Sequence, residues 1–233
     1  MLAYPDVMGA ALLRDYEPGV WRWMRDFIEP GMTCVDAGAN QGFYSIFMAR
    51  MVERSGMVYA FEPVVEEAVR LRRNLLFNGL LARVDIRVEA LGASYATVDF
   101  HVGPPTHRSR SSLATLPREV PASSLTRTVT VTRLDDIDLR YPVALIKADV
   151  EGAERDLLRG ARRLIATDRP AIVLEVADVA TRQFGYPAQE LLWMLAHLGY
   201  DIFEPHDNGD LTPMDTSFRP EFRTTVIALP RVS

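Results

Sequence analysis

The sequence CVDAGANQGFY, residues 34–44, decides the fold. It carries an apolar strand, Thr33–Ala37, through a glycine-rich turn and directly into a helix that begins near Phe43. The glycines Gly38 and Gly42 let the backbone turn tightly and let a ligand approach it closely at the helix N-terminus. A simple tight turn between a strand and a helix, with no ligand, is the alternative interpretation.

The acid in this turn indicates the kind of ligand that would suit it. The pattern is Asp-x-Gly-x-Asn-x-Gly, in which Asp36 is the first specified residue and Asn40 the third. It differs from the G-x-G-x-x-G fingerprint of dinucleotide-binding proteins. A pyrophosphate group prefers uncharged backbone amides, so an acid would repel it. An acid suits a ligand with an ammonium group, such as the amino-acid end of S-adenosylmethionine.

Segments with strand and helix character alternate along the rest of the chain, which is typical of βαβ units. They predict an α/β fold with a mainly parallel central sheet of about seven strands and helices on both faces. Residues 1–30 are predicted as a helical lead-in, and residues 31–233 as one domain that contains the sheet. Helices are predicted from Phe43 to Glu53, up to Asn78, over 152–165 and over 187–198. The predicted strands are Thr33–Ala37, Met57–Phe61, Val84–Val88, Ala96–Val102, Thr128–Thr132, Val143–Ala148, Ala171–Val176, Tyr200–Glu204 and Thr224–Leu229.

Two acids follow the second and third predicted strands, where ligands of parallel sheets bind. Glu62 ends the second strand, 26 positions after Asp36. An acid at this place can accept hydrogen bonds from both ribose hydroxyls of an adenosine. Glu89 and Ala90 follow the third strand, where the adenine ring would lie, although a solvated loop acid is the alternative for Glu89.

A second motif, LIKADVEGAE at residues 145–154, again follows an apolar strand and opens a helix. Lys147, the one lysine among 26 basic residues, and the acids Asp149 and Glu151 alternate along it, so an extended chain would place them on one face. Charged groups at the end of a buried strand are costly unless they are paired. Glu175, at a similar depth on a neighbouring predicted strand, is the expected partner of Lys147. Asp149, just beyond the strand, is our first candidate for a general base. Its alternative role is to orient the cofactor amino group or a backbone turn.

The segment 103–127 is rich in serine, threonine, proline and arginine and is predicted as a loop, either a lid or substrate-binding segment or a solvated excursion. Its His107 is the second candidate base, because imidazole titrates near neutral pH, with a solvated side chain as the alternative. No set of residues is assigned as a metal site. A cation-binding cluster could be formed by Asp135, Asp136 and Asp138, but an exposed helix start or turn is the preferred interpretation.

The composition is that of an ordinary globular protein. The chain has 233 residues, of which 48% are hydrophobic and 24% charged. Its net charge of −5 argues against nucleic acid as a partner, and no run approaches the ~20 apolar residues of a membrane helix. One cysteine, Cys34, excludes an internal disulfide framework, and no secretory signal is recognisable, so we expect a cytoplasmic protein of undetermined oligomeric state.

Together, these segments resemble the FkbM-type family of S-adenosylmethionine-dependent methyltransferases. The likeness extends over roughly residues 17 to 177, and beyond about residue 178 no family motif is apparent. The sequence departs from the family pattern at Arg133, where threonine is expected. The motifs that carry the likeness are VDAGANQGFYS, YAFEP, TRLDDI at 132–137, LIKADVEGAE with LLRGARRLI, and PAIVLEV.

The resemblance implies a Rossmann-like class I methyltransferase fold and S-adenosylmethionine as the cofactor. It also implies that the D-x-E-G-x-E acids Asp149, Glu151 and Glu154 border the active site. Members of the family mostly methylate hydroxyl groups of small molecules, so a small-molecule or carbohydrate acceptor is expected. The cofactor-binding residues that the resemblance implies are Asp36, Gly38, Asn40, Gly42 and Glu62.

Two other function classes remain open on the sequence. A NAD-dependent oxidoreductase would use the same sheet and the same ribose acid, but Asp36 and the missing dinucleotide fingerprint disfavour it. A non-catalytic nucleoside-binding module is the second alternative. The concentration of charged residues at Lys147, Asp149, Glu151 and Glu175 argues against it.

Overall fold

Two sheets and seven α-helices organise the described part of the chain. The structure, a computed structural model, describes residues 17–102, 125–140, 142–217 and 223–231. The helices are α1 (Pro18–Phe27), α2 (Phe43–Met51), α3 (Val65–Phe77), α4 (Glu154–Gly160), α5 (Arg162–Asp168), α6 (Asp178–Thr181) and α7 (Gln189–His197). The strands are β1 (Thr33–Ala37), β2 (Met57–Phe61), β3 (Val84–Arg87), β4 (Ala90–Leu91), β5 (Ala96–Val102), β6 (Leu125–Thr132), β7 (Val143–Ala148), β8 (Ala171–Val176), β9 (Tyr200–Pro205), β10 (Leu211–Pro213) and β11 (Thr224–Pro230).

The main sheet has eight strands in the order β10-β9-β11-β8-β7-β1-β2-β3. The five strands from β8 to β3 are parallel, whereas β11 runs antiparallel to both β8 and β9, and β10 antiparallel to β9. From β1 the chain moves outward through β2 and β3 and later returns to the other side of β1 with β7. The strand order therefore reverses between β1 and β7, the place where open α/β sheets bind their ligands. The predicted α/β fold is confirmed, with eight central strands instead of about seven.

A second, three-stranded sheet has the order β4-β6-β5. The predicted strands 96–102 and 128–132 lie here rather than in the main sheet, and they pair antiparallel over seven residue pairs from Ala96↔Val131 to Val102↔Leu125. Residues 125–127, predicted as the end of the long loop, belong to β6. The two-residue strand β4 was not predicted because so short a segment has no alternating pattern.

The predicted helix over 152–165 is two helices, α4 and α5, that meet at Ala161. A Cβ atom on Gly160 would lie 1.9 Å from the Gly92 carbonyl oxygen, so the chain passes very close to the segment after β4 at this point. Asp135 stabilises the new helix start, since its carboxylate accepts hydrogen bonds from the backbone amides of Arg163 (3.0 Å) and Leu164 (2.9 Å). Asp135 is thus buried, whereas the sequence favoured an exposed helix start or turn.

Both faces of the main sheet are covered, which is why all five residues of β1 are buried. Alternate strand residues contribute to different core clusters, as Cys34 on one face and Val35 on the other show. The cluster with Cys34 includes residues of α1, α2 and α3, and the cluster with Val35 includes residues of α4 and α7. Because helices cover both faces, ligands can reach the sheet at the carboxyl ends of β1 and β7.

Candidate active site

The turn after β1 and the segment after β7 are in backbone contact. Gly38 has φ +79°, and a Cβ atom there would lie 1.9 Å from the Asp149 carbonyl oxygen. The Asp149 amide donates to the Ala37 carbonyl at 3.1 Å. Gly42 has φ +93° and faces α3, where a Cβ atom on this glycine would lie 2.3 Å from Leu71 Cδ1. Both glycines are thus required by the fold itself, and the two sequence motifs form one site.

Asp36 lies beneath this turn and has no exposed surface. Its Oδ2 atom accepts a hydrogen bond of 2.5 Å from the Ser45 hydroxyl, which fixes the first turns of α2 relative to β1. Its Oδ1 atom is shielded from solvent and has no hydrogen-bond partner among the described residues. Burial raises the pKa of this carboxyl, and the neighbouring Lys147 ammonium partly offsets that rise.

Glu62 joins the turn after β1 to the turn after β2. Its carboxylate accepts from the Asn40 amide at 2.8 Å and from the Val64 amide at 2.8 Å. Asn40 has φ 47°, a left-handed conformation that asparagine tolerates better than most residues. Burial raises the pKa of Glu62 to about 7, although both amides favour its charged form. Glu62 is therefore poised between its neutral and its ionised form near neutral pH.

Three buried acceptor atoms on this side of the sheet have no hydrogen-bond partner in the part of the chain that the structure describes. Besides Asp36 Oδ1, they are Gln41 Oε1 in the turn after β1 and Glu89 Oε2 between β3 and β4. Buried polar atoms are normally hydrogen-bonded, so such atoms indicate places where a ligand could donate. Ala90, which follows Glu89, is buried in β4 and pairs with Val131.

Lys147, at the end of β7, is buried and forms an ion pair with Asp149, with 3.3 Å between Nζ and Oδ2. Its Nζ atom also lies 4.6 Å from the centroid of the Tyr44 ring. Burial alone would lower the pKa of Lys147, but the carboxylates around it, above all Asp149 and Asp36, outweigh burial and raise it. The ammonium therefore stays charged.

The expected ion pair between Lys147 and Glu175 is wrong, since none joins them within the described residues. Glu175 instead pairs with Arg223, at 2.8 Å between Oε1 and a guanidinium nitrogen. The reason is the order of the strands: β11 lies antiparallel beside β8, with Thr225 opposite Glu175 in the register, so the chain just before β11 reaches the Glu175 side chain. Lys147 is left to the acid that follows it by two residues.

The carboxylate oxygens of Asp149, Glu151 and Glu175 lie within 4.8 Å of one another. Like charges this close require compensation, by a bound cation, by a shared proton or by the protein's own cations. Here Lys147 pairs with Asp149, and Arg223 pairs with Glu151 (2.8 Å) and with Glu175. The protein's own side chains thus supply two positive charges against three carboxylates and compensate most of the cluster.

A proton shared between two of these acids completes the compensation. Glu175 and Asp149 are hydrogen-bonded to each other, and burial together with the Asp149 charge raises the pKa of Glu175 to about 9. Burial would also raise the pKa of Asp149, but the charges of Lys147 and Arg223 outweigh it and lower that pKa. At neutral pH the proton therefore resides on Glu175, and Asp149 is ionised.

Glu154 shapes the loop that carries Glu151. Its Oε1 atom accepts from the amides of Val150 (3.0 Å) and Gly152 (3.2 Å). The loop turns sharply there, with φ 51° at Glu151 and 106° at Gly152, so the extended chain assumed for 147–151 ends at β7. Burial raises the pKa of Glu154 to about 7.

Three site residues that the structure reveals were not found from the sequence. Glu17, just before α1, accepts a hydrogen bond of 2.5 Å from the Tyr44 hydroxyl and another from the Thr225 hydroxyl. Arg223 and Thr225 reach the site with β11, beyond the last recognised motif. No local pattern marks these residues, because strand register and helix packing bring them to the site. His107, the second candidate base, lies outside the described residues.

The fold is that of the class I methyltransferases, to judge from solved structures that resemble it. A methyltransferase FkbM from Methylobacillus flagellatus KT has TM-score 0.55 and 18% identity, over 94% of this chain and 52% of that one. This chain therefore spans about half the length of that relative. Cofactor-bound Rv0187 from MTB has TM-score 0.53 and 18% identity over 99% of this chain and 91% of that one. An rRNA methylase from Streptococcus thermophilus has TM-score 0.51 and 11% identity over 100% and 99%.

The family is established by sequence. The sequence model of the methyltransferase FkbM domain matches residues 36–202, well over half of the chain. The chain thus belongs to the FkbM methyltransferase family, and the predicted resemblance is confirmed. No curated protein matches it in sequence. Among the described residues, no helix has the length and apolar character needed to cross a membrane.

Proposed function

We propose that the chain transfers a methyl group from S-adenosylmethionine to a hydroxyl group of a small metabolite, a sugar or a natural-product intermediate. The observation that carries the cofactor assignment is the set of buried acceptors at Asp36, Gln41 and Glu89 that lack a partner among the described residues. S-adenosylmethionine offers matching donors, namely its ammonium group, its ribose hydroxyls and its adenine amino group. An acid-rich edge of this kind does not suit a pyrophosphate, which is why we prefer this cofactor to NAD.

In this proposal the turns after β1, β2 and β3 hold the cofactor. Glu62 receives the ribose hydroxyls, and Asp36 receives the ammonium group on Oδ1 while the Ser45 hydroxyl holds Oδ2. When bound, the cofactor supplies an electrophilic methyl group on a sulfonium. The residues assigned to cofactor binding are Asp36, Gly38, Asn40, Gln41, Gly42, Glu62, Glu89, Ala90 and Asp149.

Asp149 is the proposed general base for the acceptor hydroxyl. It is the most exposed carboxylate of its cluster, with 29% of its side chain accessible, and it is ionised at neutral pH. Lys147 orients this carboxylate through the ion pair, and the protonated Glu175 donates a hydrogen bond to it. The proton that leaves the hydroxyl is taken up on an Asp149 carboxylate oxygen. Positioning of the acceptor supplies much of the remaining acceleration.

The acceptor is proposed to be a small molecule rather than nucleic acid. The net charge of −5 supports this, and the carboxylate cluster at the site would repel phosphates. The rRNA methylase among the similar structures shares the fold alone. A reducing, cytoplasmic location is supported by the single cysteine, Cys34, which is free and buried.

Calorimetry with S-adenosylhomocysteine tests the cofactor assignment without an acceptor. We expect saturable binding by the wild-type chain and about tenfold weaker binding by Glu89→Ala, since one lost hydrogen bond amounts to about 1.4 kcal/mol. Glu204→Gln changes an exposed glutamate on β9 and is the matched control, with unchanged affinity expected.

NAD is titrated in parallel, and it distinguishes the alternative classes. Binding of NAD without binding of S-adenosylhomocysteine would overturn the proposal in favour of an oxidoreductase. Binding of S-adenosylhomocysteine together with full methyl transfer by Asp149→Asn would leave the cofactor assignment intact but refute Asp149 as the base. We expect that variant to transfer methyl at least about a hundredfold more slowly.

A further inference from the structure

Arg223 connects three elements at the acceptor side of the site. One guanidinium nitrogen lies 2.8 Å from Glu151 in the loop after β7, and another lies 2.8 Å from Glu175 on β8. Arg223 itself directly precedes β11, whose Thr225 is paired in register with Glu175. It lies beyond residues 36–202, the part of the chain that the family model matches.

We propose that Arg223 is a positioning residue of the transfer site, a clamp that holds Glu151 and Glu175 by one nitrogen each and leaves Asp149 as the carboxylate open to the acceptor. The exposures agree with this arrangement, since 6% of the Glu175 side chain and 15% of the Glu151 side chain are accessible, against 29% for Asp149. A planar guanidinium with several donors suits such a double contact, whereas an ammonium does not. This inference rests on the proposed function, in which Asp149 takes the proton.

The clamp also weakens the hold of the carboxylate pair on its shared proton. Arg223 lies directly against Glu175 and stabilises its ionised form, while burial and the nearby Asp149 stabilise its protonated form. Without the guanidinium, both Glu175 and Asp149 would lose a compensating charge and hold the proton more tightly. The groups that surround this pair from the neighbouring elements are Asp36, Lys147, Glu151, Glu154 and, through Lys147, Glu17.

Carbon-13 NMR of the glutamate side-chain carboxyls tests the clamp on the whole chain, without cofactor or acceptor. The Glu175 signal is identified by its loss in Glu175→Gln, and its titration midpoint is expected near pH 9. In Arg223→Gln we expect that midpoint to rise by about one pH unit or more, because a neighbouring opposite charge lowers the pKa of a carboxyl by roughly that amount. Arg223→Lys, which keeps a positive charge, should bring it back toward the wild-type value.

Arg231→Gln is the matched control. Arg231 follows the other end of β11 and pairs with the exposed Asp201 at 2.8 Å, so the substitution removes an arginine ion pair of the same length far from the cluster. We expect no change in the Glu175 midpoint. An unchanged midpoint in a folded Arg223→Gln would overturn the proposal, as would a fall in the wild-type midpoint on addition of Mg²⁺, which would show that a metal ion compensates the cluster.

The two proposals fail separately. Binding of S-adenosylhomocysteine tests the function, whereas the titration midpoint tests the clamp alone. A shift in Arg223→Gln in a chain that binds no S-adenosylhomocysteine would support the clamp and refute the function. Binding of S-adenosylhomocysteine without a shift of the Glu175 midpoint in Arg223→Gln would support the function and refute the clamp.

Discussion

Two groups of acids lie on opposite sides of the point at which strand order reverses, and the protein holds them differently. The first group lies in the turns after β1, β2 and β3, and the second lies at the strand ends of β7, β8 and β11. On the first side, which we call the cofactor half after its proposed role, Asp36 and Glu62 are bound by a hydroxyl and by backbone amides. On the second side, which we call the acceptor half after its proposed role, Asp149 and Glu175 are bound by Lys147 and Arg223.

The difference matches the two tasks that we propose for the site. Acids held by neutral donors can keep an acceptor atom free for the donors of a ligand, as Asp36 Oδ1 shows, which has no partner among the described residues. Acids compensated by cations suit the proposed transfer of a proton, because the nearby cations favour the ionised form of the acid that they contact. The two halves can be separated by experiment through the property that each controls, beginning with Gly38, on which both depend.

Gly38→Ala should break both halves. The new Cβ atom would meet the Asp149 carbonyl oxygen at 1.9 Å, and φ +79° is unfavourable for any residue with a side chain. We expect a loss of about 3 kcal/mol or more in the free energy of unfolding, with no measurable binding of S-adenosylhomocysteine. Urea unfolding followed by circular dichroism measures the first effect, and calorimetry the second.

Gly79→Ala is the control for backbone conformation alone. Gly79 has φ +68°, but a Cβ atom there would have no neighbour within 4 Å. We expect it to lose only about 1 kcal/mol and to bind S-adenosylhomocysteine normally. Equal losses in the two variants would show that the contact between Gly38 and Asp149 does not hold the halves together.

A buried glutamate in each half has a pKa of about 7, and Glu154→Gln should reveal the one in the acceptor half. The folded-state pKa of Glu154 is raised above its ordinary 4.5, so its contribution to stability is complete below pH 4.5 and is lost as the pH rises through 7. Glutamine keeps the acceptor for Val150 and Gly152 but cannot ionise. Relative to wild type, Glu154→Gln should therefore gain about 2 kcal/mol between pH 5 and pH 8.

Chemical unfolding at several pH values measures that gain. Glu204→Gln, at an exposed site, should follow the wild-type pH dependence. A constant difference between Glu154→Gln and wild type at every pH would mean that Glu154 is already ionised at pH 5, and that the loop is shaped by a charged acid.

Glu62 should control cofactor affinity in the same pH range, whereas Glu154 should not. If the ionised Glu62 accepts the ribose hydroxyls, only about a tenth of the chains are competent at pH 6 and most are competent at pH 8, given its pKa of about 7. The affinity for S-adenosylhomocysteine should then rise about tenfold from pH 6 to pH 8. Calorimetry should find this rise in Glu154→Gln and not in Glu62→Gln. A rise that persists in Glu62→Gln would remove Glu62 from the ribose site.

The cofactor half could be predicted from the sequence because its structure is local. Asp36, Gly38 and Glu62 lie within two consecutive strand–turn–helix units, so apolar strands and glycines locate them directly. Strands β1, β2, β7 and β8 begin and end at the predicted residues for the same reason. The second sheet was missed as a separate layer, since strand patterns do not show which sheet a strand joins.

The acceptor half could be predicted only in part because its contacts depend on strand order. Lys147 and Asp149 follow one strand, but the partner of Glu175 arrives on β11, which the chain reaches 48 residues later at Arg223. The sequence indicated that charges at this depth need partners, yet it could not show that β11 lies beside β8. Glu17 was not predicted for a related reason, since only the packing of α1 brings it to Tyr44.

Tyr44→Phe is expected to have the smallest effect, and it tests whether the connection through Glu17 serves structure or ligand binding. The variant loses the hydrogen bond from the Tyr44 hydroxyl to Glu17 but keeps the ring that lies 4.6 Å from Lys147. Because that bond links α2 to the start of α1, its loss should cost about 1 kcal/mol in unfolding free energy. Affinity for S-adenosylhomocysteine should stay within about threefold of wild type, since Lys147 retains both Asp149 and the ring. Tyr95→Phe, at a residue 75% exposed, is the matched control and should change neither quantity. A large loss of affinity with little loss of stability would place the Tyr44 hydroxyl among the ligand contacts and would extend the cofactor half as far as α1.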